Sequence, residues 1–175
     1  MKKSFLTVCV LGALVLASCS KADENSAPEG NARVQMFLTD APASYDAVHL
    51  SIKGIEINDS KSEEGWISYP INALPNPFNI LDYRNGDVYT MGEPYTFPGG
   101  KIEQIRLLLN ETGNKVVVDG VPHDLTIPSG SQSGLKINFH QELEPGGVYK
   151  IWLDFDVARS IHQTGNGRYM MKPTL

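Results

Sequence analysis

From Ala32 onward, apolar and polar residues alternate with a period of two almost everywhere. Val34, Met36 and Leu38 alternate with Arg33, Gln35 and Phe37, and Val48, Leu50 and Ile52 alternate with His49, Ser51 and Lys53. Alternation of this kind sends one set of side chains to a buried face and the other to water, which is how a strand of a half-buried sheet reads. Beyond Gly54 the apolar phase moves to Ile55 and Ile57. One residue inserted into a strand shifts the phase in this way, so a β-bulge is predicted near Lys53-Gly54. Further strands are predicted over residues 105–109, 116–118, 135–139, 151–157 and 168–172. Asp119-Gly120, set between Val118 and Val121, is a two-residue hairpin signal. No window sustains a 3.6 period; residues 78–83 and 158–162 are each suited to a single helical turn. Many short strands with closely spaced Pro and Gly predict an all-β domain over residues 32–175, a single antiparallel β-sandwich of immunoglobulin or transthyretin-like type.

The first 31 residues follow a different pattern. Lys2 and Lys3 precede an apolar stretch from Phe5 to Leu16, and Leu16-Ala17-Ser18-Cys19 closes it. A basic start, a short apolar segment and small residues before a cleavage point make a secretory signal over residues 1–18, too short to cross a hydrocarbon core of about 30 Å as a stable helix. Cys19 directly after Leu-Ala-Ser resembles the lipobox of bacterial lipoproteins. That resemblance implies an acyl chain such as palmitate on Cys19 and a membrane link through it. Residues 20–31 hold almost no large apolar side chain and are expected to be a disordered tether. Asp23-Glu24 resembles the short acidic export signals of some Bacteroidota surface lipoproteins, so the expected location is the outer membrane, facing either the periplasm or the cell surface.

Charge and cysteine content narrow the function classes. The whole chain carries 15 Lys+Arg and 20 Asp+Glu. Loss of Lys2 and Lys3 with the signal leaves 13 basic residues against 20 acidic ones, a net charge of about −7. Nucleic acid needs a basic footprint and is excluded as a partner. Of the two cysteines, Cys9 leaves with the signal and Cys19 takes the lipid, so the exported domain must be held by its apolar core rather than by disulfides.

Enzyme motifs are missing. Residues 130–134 (GSQSG) have Gln132 where a nucleophile elbow needs serine, and read as a turn. Gly165-Asn166-Gly167 lacks the remainder of a dinucleotide loop and reads as a hairpin turn. His49, His123, His140 and His162 stand singly, without the clustering a zinc site requires. No metal ligand set and no cofactor is expected.

The segment Ile151-Trp152-Leu153-Asp154-Phe155-Asp156-Val157 carries the most chemistry. As a strand it turns Ile151, Leu153, Phe155 and Val157 to the core and Trp152, Asp154 and Asp156 to the opposite face. Three readings stand. The leading one makes the acids a solvated or capping face. A second has an aromatic plane beside carboxylates contacting a sugar ring. In the third, Asp154 and Asp156 share in a calcium site, against which counts the departure from the EF-hand pattern at the third ligand and the glycine. Asp40, in Thr39-Asp40-Ala41-Pro42, is expected to organise a turn through backbone amides, with a site role as the alternative. Trp66, Tyr69, Tyr83, Tyr89 and Tyr95 are expected in the core and rim.

Residues 34–42, 48–57 with the Lys53-Gly54 break, Asn79-Ile80-Leu81-Asp82, Gln104-Ile105-Arg106-Leu107, Leu153-Asp154-Phe155-Asp156 and Lys172-Pro173 together resemble a family of bacterial lipoprotein domains of unknown function, frequent in the Bacteroidota. The likeness covers 33–173. It implies a secreted, lipid-anchored, β-rich domain similar to carbohydrate-binding sandwiches, and carries over no catalytic residue. Relatives continue past the point where this chain stops at Thr174-Leu175, so the final strand is expected either to be clipped or to close the domain. The favoured function is a non-enzymatic outer-membrane lipoprotein, a binding or accessory module that grips glycans through Trp152, Asp154, Asp156 and Asp40. The alternative is a structural or assembly component that binds cell-surface proteins; a hydrolase ranks below both.

Overall fold

The computed structural model describes residues 30–59, 65–128 and 134–172. The signal at 1–18, the lipidation site Cys19, nearly all of the 19–31 tether, the turn at 129–133 and the last three residues lie outside the described residues.

Alternation becomes strand wherever it runs long enough. The strands are β1 (Ala32–Asp40), β2 (Ala47–Leu50), β3 (Ile52–Asp59), β4 (Trp66–Tyr69), β5 (Phe78–Asn79), β6 (Tyr89–Thr90) and β7 (Tyr95–Phe97). They continue with β8 (Gly100–Leu109), β9 (Lys115–Val118), β10 (Val121–Thr126), β11 (Leu135–Leu143), β12 (Val148–Phe155), β13 (Ile161–Gln163) and β14 (Tyr169–Met171). A 3-10 turn covers Ile80–Tyr83, and one α-helical turn, α1, covers Val157–Ser160.

Three sheets share one core. One runs β12-β1-β6, with β7 also on β1; a second runs β13-β14-β10-β9-β2-β5; a third runs β11-β8-β3-β4. Along β1, Ala32, Val34, Met36, Leu38 and Asp40 are all buried, so the period-two reading holds residue by residue. They meet Ile55, Ile57, Ile102, Ile105, Leu107, Leu109, Ile151, Leu153 and Phe155 in a common apolar interior. The chain is thus an all-β fold of packed sheets. Most pairings are antiparallel, but β1–β12 and β10–β14 are parallel.

Local signals fall where they were read. The β3–β8 register shifts between Ile52 and Gly54, which is the expected bulge. Asp119 (φ 50°) and Gly120 (φ 74°) close the β9–β10 hairpin with the two left-handed residues that a type I′ turn demands.

The β1–β12 pair sets the frame for function. Its register runs from Arg33 opposite Val148 to Asp40 opposite Phe155. At the entry end, Gly146 N donates to Asn31 O at 2.8 Å, and a Cβ on Gly99 would lie 1.7 Å from the Gly30 carbonyl oxygen. Only glycine allows that approach.

Candidate functional site

On the outward side of the β1–β12 pair, opposite the core, Phe37 stands beside Trp152 in register. Their rings stack with centroids 5.3 Å apart and planes 17° apart. That separation is close to the spacing of neighbouring strands, so the rings form a row across the sheet. Phe37 covers one face of Trp152, yet Trp152 stays 54% exposed because, among the described residues, β12 is the edge strand and has no neighbour on its other side.

The polar residues around this pair divide into two groups. On β1, Gln35 Nε2 donates to Gly92 O at 3.3 Å, and Thr39 Oγ1 donates to Tyr83 O at 2.8 Å. Both are tied down by the fold. On β12, Lys150 and Asp154 flank Trp152, are exposed, and take part in no ion pair among the described residues. The arrangement offers an aromatic plane with one donor and one acceptor beside it, all on one strand.

Asp40 sits at the far end of β1 on the core side. It is 4% exposed, and its Oδ1 accepts from Val157 N at 3.1 Å, 117 residues along the chain. Its Oδ2 has no hydrogen-bond partner among the described residues. Burial is the main reason its pKa is raised from 3.8 to about 6. The Val157 amide opposes that rise, the charges of Asp154 and Asp156 add to it, and Arg84 lowers it. Asp40 therefore organises backbone through an amide, as expected, but it latches β1 to α1 instead of shaping a local turn.

Asp156 leaves the face it was expected to share. The strand ends at Phe155, and Asp156 caps α1: Oδ1 accepts from Arg159 N at 3.0 Å, and Oδ2 lies 3.4 Å from Arg159 Nε. Its carboxylate is occupied by the capping role that had been its leading reading. Of the sequence-predicted residues, Trp152 and Asp154 thus share the outer face, while Asp40 points to the core and Asp156 to the helical turn. Among the described residues there is no group of three His, Cys, Asp or Glu side chains that could hold a metal ion.

Phe37 was missed as a site residue. Its signal was present: it is the one large apolar residue on the outward phase of β1, among Arg33, Gln35 and Thr39. Of the mid-chain aromatics, Tyr69 is in the core and Tyr83, Tyr89 and Tyr95 pack against it, with Phe78, Tyr83 and Tyr89 on one another at 5.2–5.3 Å. Trp66 departs from the expectation and lies on the outward face of β4, opposite Asn58. Three clefts lie among the described residues, one of about 260 Å³ by His49 and Phe78, one of about 420 Å³ by His123 and Arg168, and one of about 640 Å³ by Glu144, Val148 and Tyr149 at the start of β12. None of them is lined by Trp152, Asp154, Asp156 or Asp40. His140 Nδ1 meets Glu103 Oε2 at 2.9 Å on an exposed surface. Among the described residues no helix is long and apolar enough to cross a membrane.

A family model described as a domain of unknown function, DUF4382, matches residues 31–173. No curated protein and no solved structure matches the chain.

Proposed function

The chain belongs to the DUF4382 family, and because that description names no activity, we propose from the chain's own surface that it is a non-enzymatic, glycan-binding module of an outer-membrane lipoprotein. The observation that carries this reading is the half-open stack of Phe37 and Trp152 with Asp154 and Lys150 beside it. Sugar rings present apolar C–H faces that pack on an aromatic plane, and their hydroxyls both donate and accept. Asp154 accepts from such hydroxyls and Lys150 donates to them. A large aromatic side chain left half in water on a single face is the kind of feature that marks recognition rather than packing. Attachment is through an acyl chain on Cys19, for which the lipobox-like segment before it is the support.

A glycan array probed with the full chain tests the binding reading. A coherent set of related sugars should bind, and Trp152→Ala should lose them with its fold intact by circular dichroism. Absence of binding to every sugar by a folded protein would sink the proposal. Palmitate labelling of the wild type that vanishes in Cys19→Ala checks the anchor separately.

A further inference from the structure

Among the described residues the outer edge of β12 is unpaired. At the two ends of its ladder with β1, Arg33 N donates to Gly147 O at 2.8 Å and Ala41 N donates to Phe155 O at 3.2 Å. In a parallel ladder these odd-numbered positions of β12 direct their backbone groups at β1. The N–H and C=O groups of Val148, Lys150, Trp152 and Asp154 are thereby turned to the open side. Among the described residues none of them makes a backbone hydrogen bond there, and all four side chains are exposed. Val148 and Trp152, at 66% and 54%, are the two most exposed large hydrophobic side chains described. A free edge of this length is a template for another strand.

The order of side chains along this edge fits itself. Consider a second copy of β12 laid antiparallel, with a two-fold axis through Trp152. Lys150 of each copy then faces Asp154 of the other, and Trp152 faces Trp152. Opposite charges in directly facing cross-strand positions attract, as do paired aromatics. Neighbouring registers lack this match. An axis through Ile151 sets Lys150 against Trp152 and Val148 against Asp154; an axis through Lys150 sets lysine against lysine. In the Trp152-centred register even-numbered positions face even-numbered ones, so the open backbone groups of each strand meet those of the other in about six hydrogen bonds. A two-fold axis also closes the assembly, leaving no further edge on β12.

We infer that the chain forms a two-fold dimer in which β12 pairs antiparallel with β12 of a second copy, centred on Trp152, joining the two β1–β12 sheets into one. The core-side residues support the same register, since Ile151 then faces Leu153. On the outer face the row of rings doubles to Phe37, Trp152, Trp152 and Phe37. The dimer covers the open side of Trp152 and pairs the Lys150 and Asp154 that the glycan reading uses, so the two compete for one surface. Dimerisation is measured without sugar and the array without regard to mass, so that the failure of one is distinguishable from the failure of the other.

Sedimentation velocity of the full chain tests it. The wild type should sediment as a dimer at high micromolar concentration. Lys150→Asp places like charges opposite Asp154 at both ends and should give a monomer; Lys150→Ala, which removes attraction without adding repulsion, should weaken the dimer. The exchange Lys150→Asp with Asp154→Lys rebuilds both ion pairs in this register alone and should restore the dimer. A monomeric wild type would overturn the inference. So would a dimer indifferent to Lys150→Asp, or a folded exchange variant that stays monomeric.

Discussion

Two tryptophans lie on the outward faces of two different sheets, and the chain treats them in opposite ways. Trp66 on β4 is roofed by Arg106, whose guanidinium carbon lies 4.0 Å from the ring centroid, and Arg106 is itself ion-paired with Glu56 of β3. Beside them Gln104 donates to Asn138 at 2.8 Å. That surface is closed by its own side chains. Trp152 on β12 has only Phe37, and its flanking charges Lys150 and Asp154 have no ion-pair partner among the described residues. The β1–β12 region also holds Asp40, a buried carboxylate with an unsatisfied oxygen. An aromatic side chain whose needs are met from within its own sheet serves stability; one left open is available to something outside.

Four substitutions break or sharpen this contrast. The largest effect is expected at Asp40. Its folded pKa lies above its ordinary value, so its stabilising contribution is fully present below pH 3.8 and is lost as pH rises through about 6. Between those limits the loss is about 3 kcal/mol. Asp40→Asn keeps an oxygen for the Val157 amide but does not titrate, so urea unfolding of the variant should lack this component of the pH dependence. Equal pH slopes in the two proteins would mean that Asp40 holds no proton in the fold.

Trp66→Ala comes next. Loss of its packing and of the cation roof should lower unfolding stability by about 2 kcal/mol and leave sugar binding unchanged. Trp152→Ala should do the converse: calorimetric titration with the best array ligand should show binding weaker by at least about tenfold, or about 1.4 kcal/mol, with stability altered by less. If Trp152→Ala unfolds the protein as readily as Trp66→Ala, the contrast between the two faces fails. The smallest effect is that of Glu56→Gln, which unpairs Arg106 and should cost about 1 kcal/mol in thermal unfolding. No change there would make the roof over Trp66 incidental.

What the sequence disclosed about this contrast follows from what periodicity can see. The long strands, the Lys53-Gly54 bulge and the Asp119-Gly120 hairpin are local, and local alternation and turn chemistry specify them. The parallel partnership of β1 with β12 joins segments more than 100 residues apart and leaves no mark in either period. Strands of two or three residues such as β5, β6 and β7 are too short to show alternation at all. Asp156 shows the limit most clearly. The apolar series Ile151, Leu153, Phe155, Val157 runs on without a break because Val157 is buried too, although it is already in α1. Alternation therefore carried Asp156 onto a face that the backbone had already left. Trp152 and Asp154 were legible as outward neighbours; Phe37, their stacking partner, sits where only knowledge of the register could pair it with them.

The β1–β12 ladder also has a mechanical meaning. Eight facing positions run in register along one direction, from Arg33 opposite Val148 to Asp40 opposite Phe155. Tension applied to the chain ahead of Ala32, and resisted by whatever β12 holds, runs parallel to both strands. Hydrogen bonds that cross two strands pulled lengthwise share the strain and must yield together, whereas bonds at a peeled end yield singly. A pull through the N-terminus thus loads these eight positions together rather than one at a time, and the strand that receives the tension is the immediate neighbour of the strand that presents Trp152.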